Sequence, residues 1–430
     1  MNSWPPTLLS LMYQFKEPPE FALPIEERLP LLLAMLPALP FKAVKVTGTN
    51  GKGSVCAMLS YALMSAPVRV GTFTSPHLLQ VNERMRINDV PIEDGVLERL
   101  ARRWQQRLVA LPPAAHPTFF EVLMVIALDW FHEQQAQIVV LEAGIGGRRD
   151  ATRFVPGVVS VITTVGLDHV EKLGNSLEEV AAHKSDLCED GGTLLLGLDL
   201  PAPALTEIGT RAIQRNLRLV TSKAPLSWHK LDQGWSYRVL FVDDGPEVQL
   251  PLAGAHQVDN LACVNGILQL LEEQGLIADS GCIAGVCNTV WPGRLQRLPK
   301  WPRLILDVAH NPQGLQALQR ALDELGIPFA QRTLIYGISA EKDLAACVAM
   351  LSTLAPRVWL VDGFYRAAPA EEIRALLPSG LRWLGNLQGG QGIFDELLNP
   401  FKGRENDWFV ATGSIFLVAD VLQALPNLSE

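Results

Sequence analysis

Short apolar runs of strand length alternate with longer helical patterns through the first two thirds of the chain. Each run is followed by a segment in which apolar residues recur every three or four positions. This alternation predicts a mainly parallel sheet with helices on both faces. The runs that predict its strands are residues 41–48, 68–75, 137–144, 157–166 and 193–199, and the helical patterns are residues 54–65, 94–111, 119–135 and 176–187.

A different pattern follows at residues 235–252, where two alternating runs flank the residues Asp-Asp-Gly and predict a hairpin. Residues 291–303 then interrupt the periodicity with three prolines and several basic residues. Because prolines of this density are typical of domain boundaries, we expect one domain over residues 1–295 and a smaller one over residues 296–430. The strand and helix alternation restarts after the boundary, which predicts a Rossmann-like α/β fold for the second domain.

Composition and charge narrow the classes of protein that fit. The chain has 430 residues, a formal net charge of −9 and no block of basic residues, so nucleic acid is not an expected partner. Its first 20 residues lack the basic and apolar parts of a signal peptide, and no apolar run is long enough to span a membrane. The six cysteines form no Cys-x-x-Cys pair, which favours reduced thiols and a cytoplasmic location.

The segment Val44–Val55, VKVTGTNGKGSV, places a strand, a glycine-rich loop and a helix start in sequence. Glycines in such a loop let successive backbone N–H groups face one point, and the helix start adds its positive dipole end. Lys52 then reaches the outer phosphates of a nucleotide, and Ser54 or Thr49 serves phosphate or magnesium. Val46 stands where a standard P-loop has glycine, and a tight connection is the alternative. We expect a P-loop sheet domain that binds a triphosphate.

The same loop, residues 46–54, resembles that of the folylpolyglutamate synthase and dihydrofolate synthase branch of the Mur ligase superfamily. Further segments resemble signatures of that branch in the same order along nearly the whole chain. The resemblance implies a monomeric ATP-dependent ligase that adds L-glutamate to a folate or dihydropteroate carboxylate. The segments are residues 74–88, 140–152, 166–174, 254–260, 291–294, 307–312 and 411–416.

The resemblance implies two magnesium ions, one held by Ser75 and Glu142 and one by Glu142 and His169. Glu142 follows a buried-looking strand, and a carboxylate at the carboxyl end of such a strand faces the ligand crevice. Magnesium also prefers oxygen ligands. The alternatives are a helix-capping or surface carboxylate for Glu142 and a core histidine for His169.

Lys184 stands where the family carries a carbamylated lysine, in which carbon dioxide turns a cation into an oxygen ligand. A lysine accepts carbon dioxide only while its amine is neutral, and burial near other cations favours that state. Residues 185–192, SDLCEDGG, depart from the small and aliphatic residues that are usual there. An ordinary solvated lysine is the alternative.

The resemblance assigns the remaining site residues to ATP and to the two other substrates. His310 is expected to reach both the nucleotide and the incoming amino acid. The alternatives are a core position for Phe120, helix capping for Gln257 and Asn260, and a linker salt bridge for Arg294. The catalytic residues are Lys52, Glu142, His169, Lys184 and His310; ATP contacts are Gly48, Thr49, Asn50, Gly51, Lys52, Gly53, Ser54, Gln257, Asn260, Arg294 and Asp307; pterin contacts are Thr118, Phe120 and Asp150; amino-acid contacts are His310 and Ser414.

The expected reaction first phosphorylates the acceptor carboxylate with ATP, and the amino group of glutamate then displaces phosphate. Closure of the small domain about residues 291–294 would exclude water from the acyl phosphate. Residues 21–29 lack the glycine-containing segment that is usual in folate members, and residues 185–192 also depart from the family. A ligase for a non-folate acid therefore remains an alternative, and a nucleotide-binding regulator is a third.

Overall fold

The structure of the protein is a computed structural model that describes residues 4–15, 22–231, 235–243, 247–389 and 406–425. The chain divides into two compact units that interleave along the sequence. One comprises Met1–Ser227, Val239–Gln249 and Asp259–Thr289, and the other comprises Trp228–Arg238, Leu250–Val258 and Val290–Glu430. The predicted domain division between residues 295 and 296 stays a prediction.

The first unit is built on an eight-stranded sheet whose strand order is β4-β3-β2-β5-β1-β6-β7-β8. The run from β2 to β8 in that order is parallel, and β3 and β4 add an antiparallel edge. The central strands read as continuous apolar runs because helices cover both of their faces. The strands are β1 (Lys42–Thr47), β2 (Val70–Phe73), β3 (Met85–Ile87), β4 (Val90–Pro91), β5 (Ile138–Glu142), β6 (Gly157–Ile162), β7 (Thr193–Leu196) and β8 (Arg218–Thr221).

Helical segments connect these strands, as the periodicity predicts. In the helix at residues 94–109, for example, the buried residues Leu97, Leu100, Trp104 and Leu108 follow the helical repeat. The helices are α1 (Pro6–Gln14), α2 (Ile25–Leu33), α3 (Lys52–Met64), α4 (Asp94–Val109), α5 (Phe119–Glu133), α6 (Val170–Leu173), α7 (Leu177–Ser185), α8 (Ala202–Gln214) and α9 (His256–Glu273), with short 3-10 turns at Val81–Arg84, Pro113–Ala115, Ala151–Phe154 and Ser280–Asn288.

A separate three-stranded sheet has the order β11-β10-β9, with strands β9 (Ser227–Lys230), β10 (Tyr237–Leu240) and β11 (Val248–Leu250). The strands β10 and β11 are neighbours in this sheet, as the predicted hairpin requires. Its predicted Asp-Asp-Gly turn lies partly outside the described residues, which resume at residue 247.

The second unit contains a six-stranded sheet with the order β12-β13-β17-β14-β15-β16. It is a mixed sheet, because β12 pairs antiparallel with β13 while the other pairings are parallel. The second α/β fold is therefore confirmed. Its elements are β12 (Gln296–Leu298), β13 (Trp301–Leu306), β14 (Arg332–Tyr336), β15 (Arg357–Asp362), β16 (Arg382–Gln388), β17 (Trp408–Thr412), α10 (Pro312–Glu324), α11 (Leu344–Ala349), α12 (Leu351–Leu354), α13 (Ala370–Ala375), α14 (Ile415–Ala424) and a 3-10 turn at Phe329–Gln331.

One buried ion pair fixes the start of α5 against α2. Arg28 donates from Nε and from a terminal nitrogen to the two carboxylate oxygens of Glu121, at 3.0 and 2.6 Å. The carboxylate of Glu121 also accepts the backbone N–H of Thr118, whose hydroxyl caps the helix in return. Since both charged side chains are buried, each depends on the other for its charge to be compensated.

Replacement of Arg28 by alanine is expected to lower the free energy of unfolding by about 3–5 kcal/mol, because it leaves the Glu121 carboxylate buried without its partner. Urea unfolding followed by tryptophan fluorescence measures the change. Arg102→Ala is the matched control, since Arg102 pairs with Glu98 at the surface and its loss costs under about 1 kcal/mol. Equal effects of the two substitutions would contradict this account of the α2–α5 contact.

Candidate nucleotide and ligase site

The loop between β1 and α3 has a backbone that only glycine permits at two positions. Gly51 has a φ of 86°, and a Cβ there would collide with the side-chain oxygen of Asn260. A Cβ on Gly48 would collide with the hydroxyl of Thr163. The glycines therefore allow the loop to lie against neighbouring side chains. The N–H groups at the start of α3 are of the kind that binds an anion.

Hydrogen bonds hold this loop to the segment that follows β6. The N–H of Thr49 donates to the Thr164 carbonyl at 3.0 Å, and the Thr163 hydroxyl donates to the Asn50 carbonyl at 2.6 Å. The Thr49 hydroxyl bonds both the carbonyl and the N–H of Gly166 at 2.9 Å. These bonds give Thr49 a structural role, and its predicted contact with phosphate or magnesium stays a prediction.

Lys52 and Ser54 both belong to the first turn of α3. The Lys52 ammonium donates to the carbonyls of Gly48 and Thr49 at 3.0 and 3.4 Å, so it lies over its own loop. Ser54 is buried. The structure thus gathers the predicted residues Gly48 to Ser54 around one helix start, which is the arrangement that phosphate binding requires.

Lys184 lies buried close to this loop. Burial and, after it, the positive charge of Lys52 lower the pKa of its amine to about 7, while Asp168 and Asp150 oppose the shift. Only 2% of the Lys184 residue is exposed. The solvated lysine considered as an alternative is therefore wrong, and at neutral pH a large fraction of the amine is uncharged.

The residues after Lys184 that depart from the family have structural partners. The Asp186 carboxylate lies between Arg148, Arg211 and Arg215, at 2.5, 2.6 and 3.2 Å. The Glu189 carboxylate accepts from the buried Lys45 at 2.5 Å. These contacts anchor the end of α7, and Arg148 ties it to the glycine-rich loop after β5. The departure therefore stabilises the position of Lys184.

Glu142 ends β5 and is buried, and one of its carboxylate oxygens accepts the N–H of Ser75 at 2.9 Å. Two predicted magnesium ligands thus lie together. Sequence reasoning missed Arg84, whose charge interacts with that of Glu142. Arg84 donates to the His77 ring at 2.9 Å, and burial lowers its pKa to about 10. The arginines within residues 74–88 are the sequence feature that could have pointed to Arg84.

His169 is half-buried, precedes α6 and has a φ of 52°, an uncommon conformation for a residue with a side chain. In the described ranges, no three His, Cys, Asp or Glu side chains cluster as a metal cage. Glu142 with Ser75 nonetheless fits magnesium, which takes few ligands from protein and most from phosphate and water. The expected ligands Ser75, Glu142 and His169 remain predictions.

The three predicted pterin contacts have structural partners of their own. Thr118 caps α5, and the Phe120 ring is 5.7 Å from the Phe73 ring. The buried Asp150 carboxylate accepts from the N–H groups of Gly144 and Ile145 and from the N–H and hydroxyl of Thr152. Burial raises the pKa of Asp150 despite these bonds. Asp150 therefore fixes the glycine-rich loop, and its contact with pterin stays a prediction.

Gln257 and Asn260 lie buried in the first two turns of α9. The side chain of Asn260 closely approaches Gly51 of the phosphate loop. Asn260 is thus placed for a nucleotide contact, whereas Gln257 donates its backbone N–H to the Gly254 carbonyl at 2.9 Å. Their predicted contacts with adenine or ribose remain predictions.

In the second unit, Asp307 follows β13 and fixes the surrounding backbone. Its carboxylate accepts the N–H groups of Leu295 and Ala309, at 3.0 and 2.9 Å. Burial raises the pKa of Asp307, and the nearby positive charge of Arg294 opposes the shift. The His310 ring nitrogen Nδ1 lies 2.8 Å from the Val308 carbonyl, which only accepts. Nδ1 is therefore the donor in this bond.

Ser414 caps α14 at the carboxyl end of β17, where its hydroxyl accepts the Phe416 N–H at 3.2 Å. Its hydroxyl lies 3.3 Å from that of Ser339, which follows β14. The strands β13, β17 and β14 are parallel neighbours. Asp307, Ser414 and Ser339 therefore meet at one edge of the sheet. Sequence reasoning missed Ser339, and its place after an apolar strand was the available signal.

Residues 46–268 match the Mur ligase middle domain, and residues 293–414 match the Mur ligase glutamate ligase domain. The first match alone covers more than half of the chain. The chain belongs to the Mur ligase family. Within this family it is similar to the folylpolyglutamate synthase of Lacticaseibacillus casei, with 31% identity over 399 residues that cover 89% of each protein. It is also 29% identical over 415 residues to the dihydrofolate synthase/folylpolyglutamate synthase of Bacillus subtilis, covering 93% of this chain and 94% of that protein.

Solved structures show the same fold. The Mycobacterium tuberculosis folylpolyglutamate synthase complexed with ADP and AMPPCP has a TM-score of 0.83 at 22% identity, over 98% of both chains. An Escherichia coli relative in complex with ADP has a TM-score of 0.78 at 26% identity, over 97% of this chain and 96% of that chain. The predicted family, fold class and ligase class are confirmed. Within the described residues, no helix is both long and apolar enough to cross a membrane.

The structure predicts that the Lys184 amine titrates near pH 7. Below that pH the buried amine takes up a proton, so the neutral form dominates above it. In protein labelled with ¹³C at the lysine ε-carbons, NMR should show one resonance with this midpoint, absent from Lys184→Met. Lys52→Met should move the midpoint upward, because it removes a neighbouring positive charge. A Lys184 resonance with an ordinary lysine midpoint would contradict the proposed environment.

Proposed function

We propose that this Mur ligase joins L-glutamate to the carboxylate of a folate or dihydropteroate-type acid at the expense of ATP. The observation that carries the proposal is the grouping of Lys52, Glu142 and Lys184 around the glycine loop. A protein that binds a nucleotide only as a regulatory switch needs the backbone N–H groups of the glycine loop and its lysine. A buried neutral lysine and a buried carboxylate beside the nest are what phosphoryl transfer with metal ions adds.

The chemistry follows from the poor reactivity of a carboxylate. Hydroxide is too poor a leaving group for an amine to displace, so the acceptor carboxylate first attacks the γ-phosphorus of ATP and ADP leaves. The glutamate amine then attacks the acyl carbon, its proton is lost to solvent or base, and inorganic phosphate departs. Such a reaction needs oriented reactants and stabilised phosphate charge rather than a protein nucleophile.

The first unit supplies the phosphate contacts. The N–H groups at the start of α3 would cradle the phosphates, and Lys52 would exchange its bonds to the loop carbonyls for bonds to phosphate oxygen. Ser75, Glu142 and His169 would hold magnesium, which neutralises charge on the transferring phosphoryl group. The charge of Arg84 interacts with that of Glu142, so Arg84 would place a positive charge beside this ligand set.

Lys184 is proposed to react with carbon dioxide, and its structure supports this reaction. The neutral amine attacks the carbon of carbon dioxide and loses one proton, which gives a carbamate anion. The positive charge of Lys52 would stabilise this anion, since the two residues interact electrostatically. Lys184 would then act as an oxygen ligand near the metal.

The second unit supplies candidate contacts for nucleotide and amino acid. Arg294 and Asp307 are proposed to bind the phosphates and ribose. His310, whose ring is oriented by the bond from Nδ1 to the Val308 carbonyl, is proposed to reach the nucleotide and the incoming amino acid. Ser414, at the amino end of α14, is proposed to bind the incoming glutamate, because a helix start favours a carboxylate.

The acceptor acid is proposed by analogy with relatives. An Escherichia coli relative, 25% identical over 97% of this chain, was solved with DHPP and ADP. Thr118 and Phe120 begin α5, whose start is fixed by the Arg28–Glu121 pair. The segment 21–29 lacks the usual glycine, but its Arg28 holds in place the helix start that carries the proposed pterin contacts. A monomer in the cytoplasm is proposed on the same analogy.

A screen of ADP release tests the proposal. The enzyme is given ATP and magnesium with dihydropteroate, reduced folates or unrelated aryl acids, each with and without glutamate. We expect sustained ADP release and a glutamate conjugate in the mass spectrum only when a pterin acid and glutamate are both present. Glu142→Gln should lower the rate at least about a hundredfold, because metal-held charge on phosphate is lost. Conjugate formation with an unrelated aryl acid, but with none of the pterin acids, would instead support the non-folate ligase. ADP release that does not depend on either the acid or glutamate would support a regulator.

The carbamate has a test that does not depend on turnover. Protein equilibrated with ¹³C-bicarbonate at pH 8, where the Lys184 amine is mostly neutral, should show a bound carbamate resonance in the ¹³C spectrum. Lys184→Arg serves as the matched control, because its cation is retained but forms no carbamate. A spectrum of the parent protein identical to that of the control would remove carbamylation from the proposal.

A further inference from the structure

The hydroxyls of Ser339 and Ser414 form a buried pair in the second unit. Their side-chain oxygens lie 3.3 Å apart, and the residues are 6% and 2% exposed. Ser339 follows β14 and Ser414 follows β17, and these strands are in parallel register with Tyr336 opposite Thr412. The pair therefore sits at the carboxyl edge of the sheet, where ligands bind in open α/β sheets.

The backbone brings the two serines together and holds Ser339 in place. Gly413 has a φ of 109°, and a Cβ there would collide with the Gly337 carbonyl. This close approach of two strand ends requires glycine. On the other side, Ser339 bridges to Ala367, and hydrogen bonds of 2.8 and 2.9 Å flank the bridge. The Ser339 hydroxyl is thus set in position before any ligand binds.

A count of protons shows that the pair has a hydrogen-bond donor to spare. Each hydroxyl carries one proton and two lone pairs. Ser414 accepts the Phe416 N–H, so one lone pair of its oxygen is taken. When Ser339 donates to Ser414, the second lone pair is filled as well. The Ser414 proton then points away from the pair.

We propose that Ser339 is a positioning residue for the incoming amino acid: it donates to Ser414 and thereby directs the Ser414 proton to a carboxylate of that substrate. A carboxylate suits the position because it only accepts hydrogen bonds and gains a charge-assisted one. The N-terminus of α14 favours the same charge. This inference rests on the proposed function, which supplies glutamate as the amino acid.

Steady-state kinetics of the full-length enzyme test the inference, with glutamate varied at saturating ATP and acceptor acid. Ser339→Ala should raise the KM for glutamate about threefold to tenfold, the effect of one ordinary hydrogen bond, and leave the KM for ATP unchanged. Ser339→Thr keeps a hydroxyl and should restore the KM toward that of the parent. Thr333→Val is the matched control, because Thr333 carries a buried hydroxyl without a partner among the described residues on the same strand β14.

Three outcomes separate the inference from the function on which it rests. A parent enzyme that makes no glutamate conjugate overturns both. An active parent whose Ser339→Ala variant keeps the parental KM for glutamate overturns the inference alone. Equal rises in the KM for glutamate and ATP also overturn it, because they indicate a general disturbance. If the Ser339→Ala variant does not fold, the Ser339→Cys variant is used in its place. Because a thiol is a weak hydrogen-bond donor, the same rise in the KM for glutamate is expected.

Discussion

Hydrogen bonds from a neighbouring strand end hold the turn from β1 into α3 in one conformation, and the proposed phosphate site depends on it. Thr163 and Thr164, at the end of β6, bond the backbone of Thr49 and Asn50. A free glycine-rich loop would have to be ordered on each binding event, at a considerable cost in conformational entropy. The parallel pairing of β1 with β6 therefore does more than build the sheet, since it preorganises the phosphate site.

A second constraint is electrostatic. Lys52 and Lys184 lie close enough for one charge to lower the pKa of the other, and Asp168 and Asp150 compensate only in part. A positive charge on the buried Lys184 amine is unfavourable beside Lys52 unless an anion is near. Two events would relieve it, namely the binding of nucleotide phosphates at Lys52 and the conversion of Lys184 to a carbamate. The same repulsion would thus favour both the binding of phosphate and the formation of the carbamate.

Much of this could be predicted from local sequence patterns. The alternation of strands and helices predicted the parallel sheet, and the glycines predicted the nest, because both depend on neighbours in sequence. Contacts that depend on strand order could not be predicted in this way. The Ser339–Ser414 pair, which joins the ends of two different strands, is of this kind.

The residues after Lys184 show a related limit. Their departure from the family pattern cast doubt on Lys184, yet Asp186 and Glu189 bond to arginines and a lysine that are distant in sequence. The antiparallel pairing of β12 with β13 was likewise invisible from periodicity. In both cases the sequence shows a change in the pattern, whereas only the fold shows which partner compensates for it.

The central claim is that the phosphate loop and its lysines activate an acid by transferring phosphate to it. The most direct measurement uses acceptor acid labelled with oxygen-18 in its carboxylate, followed by mass analysis of the inorganic phosphate released with the amide product. One labelled oxygen should pass into phosphate for each conjugate formed. Accumulation of conjugate with only unlabelled phosphate would contradict the account.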